Sequence, residues 1–289
     1  MINFPDQKTP ILCQGITGTS GAAHTERAIA YGSHVVAGIS REKNLTTFLD
    51  LPVFATVKDA VQYTKPDISV VFSNPSRVYA DTEEAIKARI PMIICTTTHV
   101  PYHDIMKMKV LAQKYKVCLI GPASPGIVVP DEVLVGNMPA HLFPKGHVGI
   151  ISRSSSLCYE FVQQLRDENL GVSTCVGIGS GAILCTSFVP IMKAMLNDDK
   201  TKSILIIGKI NSEFEVELAT FVKKQKIKKP IFIYLAGKPD KRIKQSVLGA
   251  STQTSTEIAD YKKRICAEAG MIVLDRFDTV GKCVKERLG

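Results

Sequence analysis

The residues Gly15-Ile16-Thr17-Gly18-Thr19-Ser20-Gly21 set three glycines and three hydroxyl side chains between a short apolar run and a helical pattern. Glycines at such a junction let the backbone approach a pyrophosphate. The N–H groups and positive end of the following helix favour its charge. The pattern predicts a helix over 22–31. The spacing is G-x-x-G-x-x-G rather than the dinucleotide G-x-G-x-x-G, and a tight turn without a ligand is the competing reading. An NAD site would place Asp or Glu at the end of the second strand to accept from the ribose. Here that strand runs into Ser40-Arg41-Glu42-Lys43. Ser40, Arg41 and Lys43 are donors suited to a ribose phosphate, which leaves NADP or coenzyme A as candidates.

A second hydroxyl-rich junction is Ser152-Arg153-Ser154-Ser155-Ser156, with a helix expected to begin near Leu157. Ser154, Ser155 and Ser156 could hold a phosphate or carboxylate through hydroxyl and N–H groups, although capping alone would explain one of them. The cysteines are scattered and form no C-x-x-C pair, so a metal site is not expected, and free thiols in a reducing compartment are.

The elements that position these residues follow from periodicity. Short β-branched runs at 11–14, 35–39, 68–73, 92–96 and 117–120 alternate with amphipathic helical patterns. A second series follows at 148–152, 173–178, 203–207, 231–235 and 271–274. This alternation predicts an α/β fold of two doubly wound sheets. Residues 121–146 hold Pro122, Pro125, Pro130, Pro139 and Pro144 and read as a connector carrying loops and an extra strand. The expected domains are 1–144 and 145–289.

With 45% apolar and 22% charged residues, the chain of 289 residues can bury cores in both halves. No stretch approaches the roughly 18 apolar residues of a membrane span, and the first residues show no signal or transit pattern. A net charge of +9 invites a nucleic-acid reading, but the lysines and arginines are spread out, densest at 223–229 and 238–244. A solvated face or a small anionic ligand is the simpler account, and 223–229 reads as the solvated end of a helix.

The runs Cys13-Gln14-Gly15-x-Thr17-Gly18-x-x-Gly21, His24, Ala28-Ile29-Ala30-Tyr31-Gly32 and Leu51-Pro52-Val53-Phe54 resemble the α subunit of succinate-CoA ligase (succinyl-CoA synthetase). So do Gly121-Pro122, Pro125-Gly126, Gly149-Ile150-x-Ser152-Arg153-Ser154, Tyr159-Glu160 and Ser173-Thr174-Cys175-Val176-Gly177-Ile178-Gly179. The resemblance implies an N-terminal Rossmann-like CoA-binding domain and a C-terminal flavodoxin-like ligase domain. It also implies a β subunit as partner, in a heterodimer or heterotetramer, and a ligase forming succinyl-CoA from succinate, CoA and ATP or GTP. By the same resemblance Thr17, Gly18, Thr19, Ser20 and Lys43, with Thr96, Thr97 and Thr98, match CoA-contacting positions, and Tyr159 matches a substrate-side tyrosine. The compartment it implies is a bacterial cytoplasm or a mitochondrial matrix.

The resemblance fails first at the position that carries the chemistry. The family carries a phosphoryl group on a histidine within a Gly-His-Ala-Gly-Ala loop, an imidazole being nucleophilic while neutral near pH 7. All six histidines here lie at or before His147. Counted from Lys241-Arg242, the relay position falls on Gln245, whose amide is no nucleophile. The family's glutamate that orients the histidine is replaced within Gly208-Lys209-Ile210, a reversal of charge. Gly-Asp-Pro becomes Ser180-Gly181-Ala182, and the later glycine-rich stretch becomes 251–256. In the CoA half, Asn-Cys becomes Ala123-Ser124 and Thr-Glu-Gly becomes Thr97-Thr98-His99. The expectation is a CoA-binding, regulatory or scaffolding chain without the phosphohistidine relay. The alternatives are a CoA-dependent enzyme, either an active ligase subunit using a histidine supplied elsewhere or an acyl-CoA hydrolase or transferase around Tyr159, and an NADP-dependent oxidoreductase. Cys185, Cys266 and Ser246 are surrogate nucleophiles in principle, with a buried thiol or surface hydroxyl the default reading.

Overall fold

The structure is a computed structural model that describes residues 2–42, 44–237, 244–247 and 251–288, with 244–247 and 251–253 described by their backbone path. The chain divides into two compact units, Met1–Phe143 with Thr174–Ser187 and Pro144–Ser173 with Phe188–Gly289.

The first unit opens with β1 (Ile11–Gln14), α1 (Thr19–Ala30), β2 (Val35–Ile39), β3 (Thr47–Phe48), β4 (Leu51–Phe54) and α2 (Val57–Thr64). It continues with β5 (Ile68–Val71), α3 (Val78–Lys87), β6 (Met92–Cys95), α4 (Tyr102–Tyr115), β7 (Cys118–Ile120), β8 (Gly126–Val129) and β9 (Val133–Gly136). Its main sheet has the order β3-β4-β2-β1-β5-β6-β7. All neighbours run parallel except β3 and β4. Strands buried on both faces read as continuous apolar runs, and β1, β5 and β6 are buried throughout. The one long polar side chain among them, Gln14, donates to Ser69 Oγ at 2.9 Å on the neighbouring strand, so its burial leaves that donor satisfied.

Strand order reverses between β1 and β5, and a doubly wound sheet opens its ligand crevice at the carboxyl ends of the strands beside such a switch point. The loops after β1, β2, β5 and β6 gather there.

Residues 121–146 contain two strands rather than one, and β8 and β9 pair antiparallel. β8 also pairs antiparallel with the 175–177 segment. Ser33 stitches this hairpin to the end of α1, its hydroxyl donating to Leu134 O at 2.9 Å and accepting from Leu134 N at 2.8 Å. Ser124, fully buried, donates to Gly177 O at 2.6 Å, and Thr186 Oγ1 donates to Leu119 O at 2.7 Å.

The second unit carries β10 (Lys145–Ser152), α5 (Ser155–Asp167) and the start of β11 (Val172–Gly177), then α6 (Phe188–Asn197), β12 (Ser203–Lys209), α7 (Phe214–Lys223) and β13 (Ile231–Ala236). After these come β14 (Lys244–Val247), β15 (Ser251–Thr254), α8 (Ser255–Glu268), β16 (Ile272–Leu274) and α9 (Val280–Leu288). β10, β12, β13 and β16 lie side by side and parallel. α8 begins with a reciprocal cap, in which Thr254 Oγ1 accepts from Glu257 N at 3.3 Å and the Glu257 carboxylate accepts from Thr254 N at 2.7 Å.

The lysine run at 223–229 is not all solvated. Lys223 ends α7 and its successors are exposed, but Lys229 turns inward and donates to Met195 O at 2.9 Å and Asp198 O at 2.7 Å. These carbonyls belong to the last turn of α6 and the residue just past it, where a cation is favoured. Burial lowers the Lys229 pKa, opposed by Asp198 and Asp199. Lys229→Met is expected to lower stability by about 1–2 kcal/mol in urea unfolding, more than the same change at exposed Lys226.

Candidate functional site

The glycine loop is built by two close approaches. Gly15 sits at φ +80°, a conformation that favours glycine, and the N–H groups of Gly15 and Ile16 donate to Ile39 O at 3.1 and 3.3 Å. A Cβ on Gly21 would lie 2.0 Å from Gly15 O, so only glycine lets α1 start this near the strand end. The helix begins at Thr19, ahead of the predicted 22, which puts Thr19 and Ser20 in its first turn. Ala22 N donates to Gly18 O at 2.8 Å, and the amides of Thr19, Ser20 and Gly21 precede that first helical bond. Gly18, Thr19 and Ser20 are exposed. Thr17, half-buried, pairs with Ser40 Oγ at 3.0 Å and so links the loop to the end of β2. An accessible helix start with hydroxyls beside its amides fits a diphosphate-bearing ligand such as coenzyme A.

The remaining expected contacts divide. Thr96 Oγ1 donates to Val71 O at 2.8 Å and Thr97 Oγ1 to Ser73 O at 2.6 Å, so both hydroxyls brace the loop after β6 against the end of β5. Thr98 is exposed, with Oγ1 3.1 Å from His99 Nδ1. Lys43 lies outside the described residues. Arg41, expected as a phosphate donor, is held by carboxylates of α3. Its Nη2 is 3.1 Å from Asp81 and 3.2 Å from Glu84, and Asp81 also accepts from Ser73 Oγ at 2.5 Å and from Arg77 at 3.3 Å. A phosphate reaching Arg41 would have to displace two anions. His24 stacks on Phe72 with ring centroids 5.4 Å apart, and burial, then Arg27, lowers its pKa.

In the second unit Ser152 is buried and bends the loop, donating to Ser154 O at 2.8 Å and accepting from Ser154 N at 3.0 Å. Ser154 caps α5, its hydroxyl accepting from Leu157 N at 3.4 Å, so the helix starts at Ser155 rather than near Leu157. Of the three serines, Ser154 therefore has a capping role, Ser155 is half-buried and Ser156 is exposed. Tyr159 is half-buried one turn further along the same helix, four residues from Ser155, a spacing that brings side chains together.

Behind this loop lies a buried charge cluster that sequence reasoning missed. Glu215, at the start of α7, is fully buried. Its carboxylate accepts from Lys209 N at 2.8 Å, from Lys262 Nζ at 3.3 Å and from Ser212 Oγ. Arg153 Nη1 is 3.9 Å from the same carboxylate, and its guanidinium lies 5.0 Å from the Phe214 ring centre. Lys262 also donates to Lys209 O at 3.3 Å and to Ser212 O, so α8 clasps the loop between β12 and α7. Burial lowers the pKa of Arg153 against the pull of Glu215. Burial and then Arg153 lower that of Lys209, again opposed by Glu215. The Glu215 carboxylate thus meets the side chains of Lys262 and Arg153 and the backbone amide of Lys209. The signal available was the first-turn pair Glu215 and Glu217 on α7, which spacing alone does not tell apart.

The backbone around Gln245 is a hairpin. β14 pairs antiparallel with β15, setting Gln245 opposite Gln253 and Ser246 opposite Thr252. Lys241-Arg242, the family-like entry, lies outside the described residues. The surrogate thiols are poor nucleophiles, because burial pushes Cys185 and Cys266 up to about 12. Among the described residues no group of three or more His, Cys, Asp and Glu side chains could hold a metal, and no helix is long and apolar enough to cross a membrane.

Fold and loops together define a two-domain α/β chain of the CoA-ligase type. Residues 6–99 match the CoA binding domain family, and residues 145–285 match the succinyl-CoA ligase like flavodoxin domain. The succinate–CoA ligase [ADP-forming] subunit alpha of Staphylococcus epidermidis is 36% identical over 282 residues, 96% of this chain and 92% of that one. The Staphylococcus aureus subunit is 38% identical over 244 residues, 83% and 80% of the two chains. The chain belongs to the succinate–CoA ligase α-subunit family. Its fold extends to ATP citrate lyase of Methanosaeta concilii, with a TM-score of 0.83 at 22% identity over 97% of this chain, which spans about half of the lyase chain. It extends also to the dinucleotide-forming acetyl-coenzyme A synthetase 1 of Ca. Korarchaeum cryptofilum, with a TM-score of 0.75 at 18% identity, covering 94% of this chain and 60% of that one.

Glu215→Gln, which deprives buried Lys262 of its carboxylate, is expected to cost about 3–5 kcal/mol in urea unfolding. Adding Lys262→Met should cost less than the sum of the two single changes in a double-mutant cycle, because the two side chains share one contact.

Proposed function

We propose that this chain is an α-type subunit that holds coenzyme A but does not relay a phosphoryl group, and so acts in binding, regulation or scaffolding. The CoA-binding domain is assigned to 1–144 and the ligase-type domain to 145–289. Thr17, Gly18, Thr19, Ser20, Lys43, Thr96, Thr97 and Thr98 are assigned to coenzyme A. The accessible helix start at Gly18–Ser20 supports that assignment. Ser154, Ser155 and Ser156 are assigned to a phosphate or carboxylate, with Tyr159 on the substrate side. A β-type ligase subunit is the proposed partner, and a bacterial cytoplasm or a mitochondrial matrix the proposed compartment.

The observation that carries the proposal is the glutamine at the relay position, Gln245, in a sequence with no histidine after His147. The hairpin backbone around Gln245 and the lysine at position 209 support it. A serine phosphate ester at Ser246 would be too stable to return its phosphoryl group to a diphosphate, so the neighbouring hydroxyl is no substitute.

Incubation with a ligase β subunit and labelled ATP should leave this chain unlabelled; an acid-labile, base-stable phosphoprotein would overturn the proposal. Gln245→His alone should gain little label, and Gln245→His with Lys209→Glu more, since the imidazole then has a carboxylate to orient it. In thermal-shift titration coenzyme A should raise the melting temperature and NADPH should not. Gly21→Ala should abolish the coenzyme A shift. A response to NADPH alone would favour an oxidoreductase.

A further inference from the structure

α4 carries apolar side chains on the face turned to water. Its buried face is Ile105, Met108 and Ala112. On the opposite face Tyr102, Met106 and Val110 are 63%, 47% and 61% exposed. They stand at i, i+4 and i+8, a continuous row on a helix of about 3.6 residues per turn. A surface helix ordinarily keeps polar residues there, and neither the glycine loop nor the Thr96–Thr98 segment uses the row.

The same helical spacing puts Lys109 along one margin of the row and Lys107 and Lys114 along the other. Lys107 is drawn partly toward the Tyr79 ring, 5.4 Å from its centre. The carboxylate of α4, Asp104, lies in its first turn, away from the row's far end. That end meets an open cleft of about 410 Å³ lined by Arg89, Lys114, Tyr115 and Lys116, three cations and an aromatic ring.

Charge selects the occupant. A second copy laid face to face on this row would set lysine against lysine, because a two-fold contact repeats the same patch on both sides. A flat anionic surface could touch the row but would not fill a cleft beside it. An acidic amphipathic segment satisfies both features, with apolar side chains on the row and carboxylates against the lysine margins and in the cleft.

We infer that the outer face of α4, with the Arg89–Lys116 cleft at its end, is a docking surface for an acidic amphipathic helix of a partner protein. This goes beyond the coenzyme A and phosphoryl-relay reading and stands whether or not that reading holds.

The test uses the full chain and a fluorescein-labelled peptide with leucines at helical spacing and glutamates between them, beside a control with lysines for the glutamates. Fluorescence anisotropy should show binding of the acidic peptide alone, weakened by added salt. Met106→Glu with Val110→Glu should weaken it at least tenfold, as should Lys114→Glu with Lys116→Glu. These positions are exposed, so circular dichroism and the coenzyme A thermal shift should stay as in the parent chain. Absent or charge-indifferent peptide binding, or unchanged affinity in both variants, would overturn the inference. So would uptake onto equimolar phosphatidylserine–phosphatidylcholine vesicles without peptide binding, or a dimer abolished by the same substitutions. These last two results reassign the face to a lipid surface or to a second copy.

Discussion

The close approach of Gly21 to the carbonyl of Gly15 is the constraint on which the first unit's chemistry depends. With no side chain between them, helix and strand end meet almost backbone to backbone. The leading amides of α1 then open beside Thr17, Thr19 and Ser20 instead of being lifted away by a longer loop. The tie from Thr17 to Ser40 carries that geometry across to β2, and the bonds from Thr96 and Thr97 fix the neighbouring loop to β5. These bonds make the rim of the crevice one braced structure.

The second unit is organised around the buried carboxylate of Glu215. Glu215 draws together Lys262 of α8, Arg153 of the loop after β10 and the backbone amide of Lys209 at the end of β12. Burying that carboxylate is tolerable only with partners in place, so it fixes these three segments to one another.

Much of this was legible in the sequence. The alternation of β-branched runs with helical patterns gave the α/β class and most strands, because burial on both faces writes itself as uninterrupted apolar residues. α1 starts earlier than the sequence pattern suggests because Thr19 and Ser20 look like turn residues, although hydroxyls also suit the opening of a helix. The β8 and β9 hairpin hid between prolines, its strands only four residues each. Charge pairing was the least visible layer. Composition shows that Arg41, Lys229 and Lys262 are cations, but only the fold shows Arg41 held by Asp81 and Glu84, Lys229 closing a helix end, and Lys262 buried against Glu215. Partners thirty or more residues apart leave no local pattern.

The first unit is not contiguous in sequence, and this bears on how it is made. Segment Thr174–Ser187 belongs to it, Ser124 finds its carbonyl partner at Gly177, and Leu119 receives its bond from Thr186. As the nascent chain leaves the ribosome, the glycine loop and its sheet emerge early. The buried Ser124 hydroxyl must wait for some fifty further residues, most of them destined for the other unit, before its acceptor exists. Maturation of the two units is therefore interleaved in time, and translation halted near residue 150 would release the β8–β9 hairpin without the 175–177 strand that pairs with it.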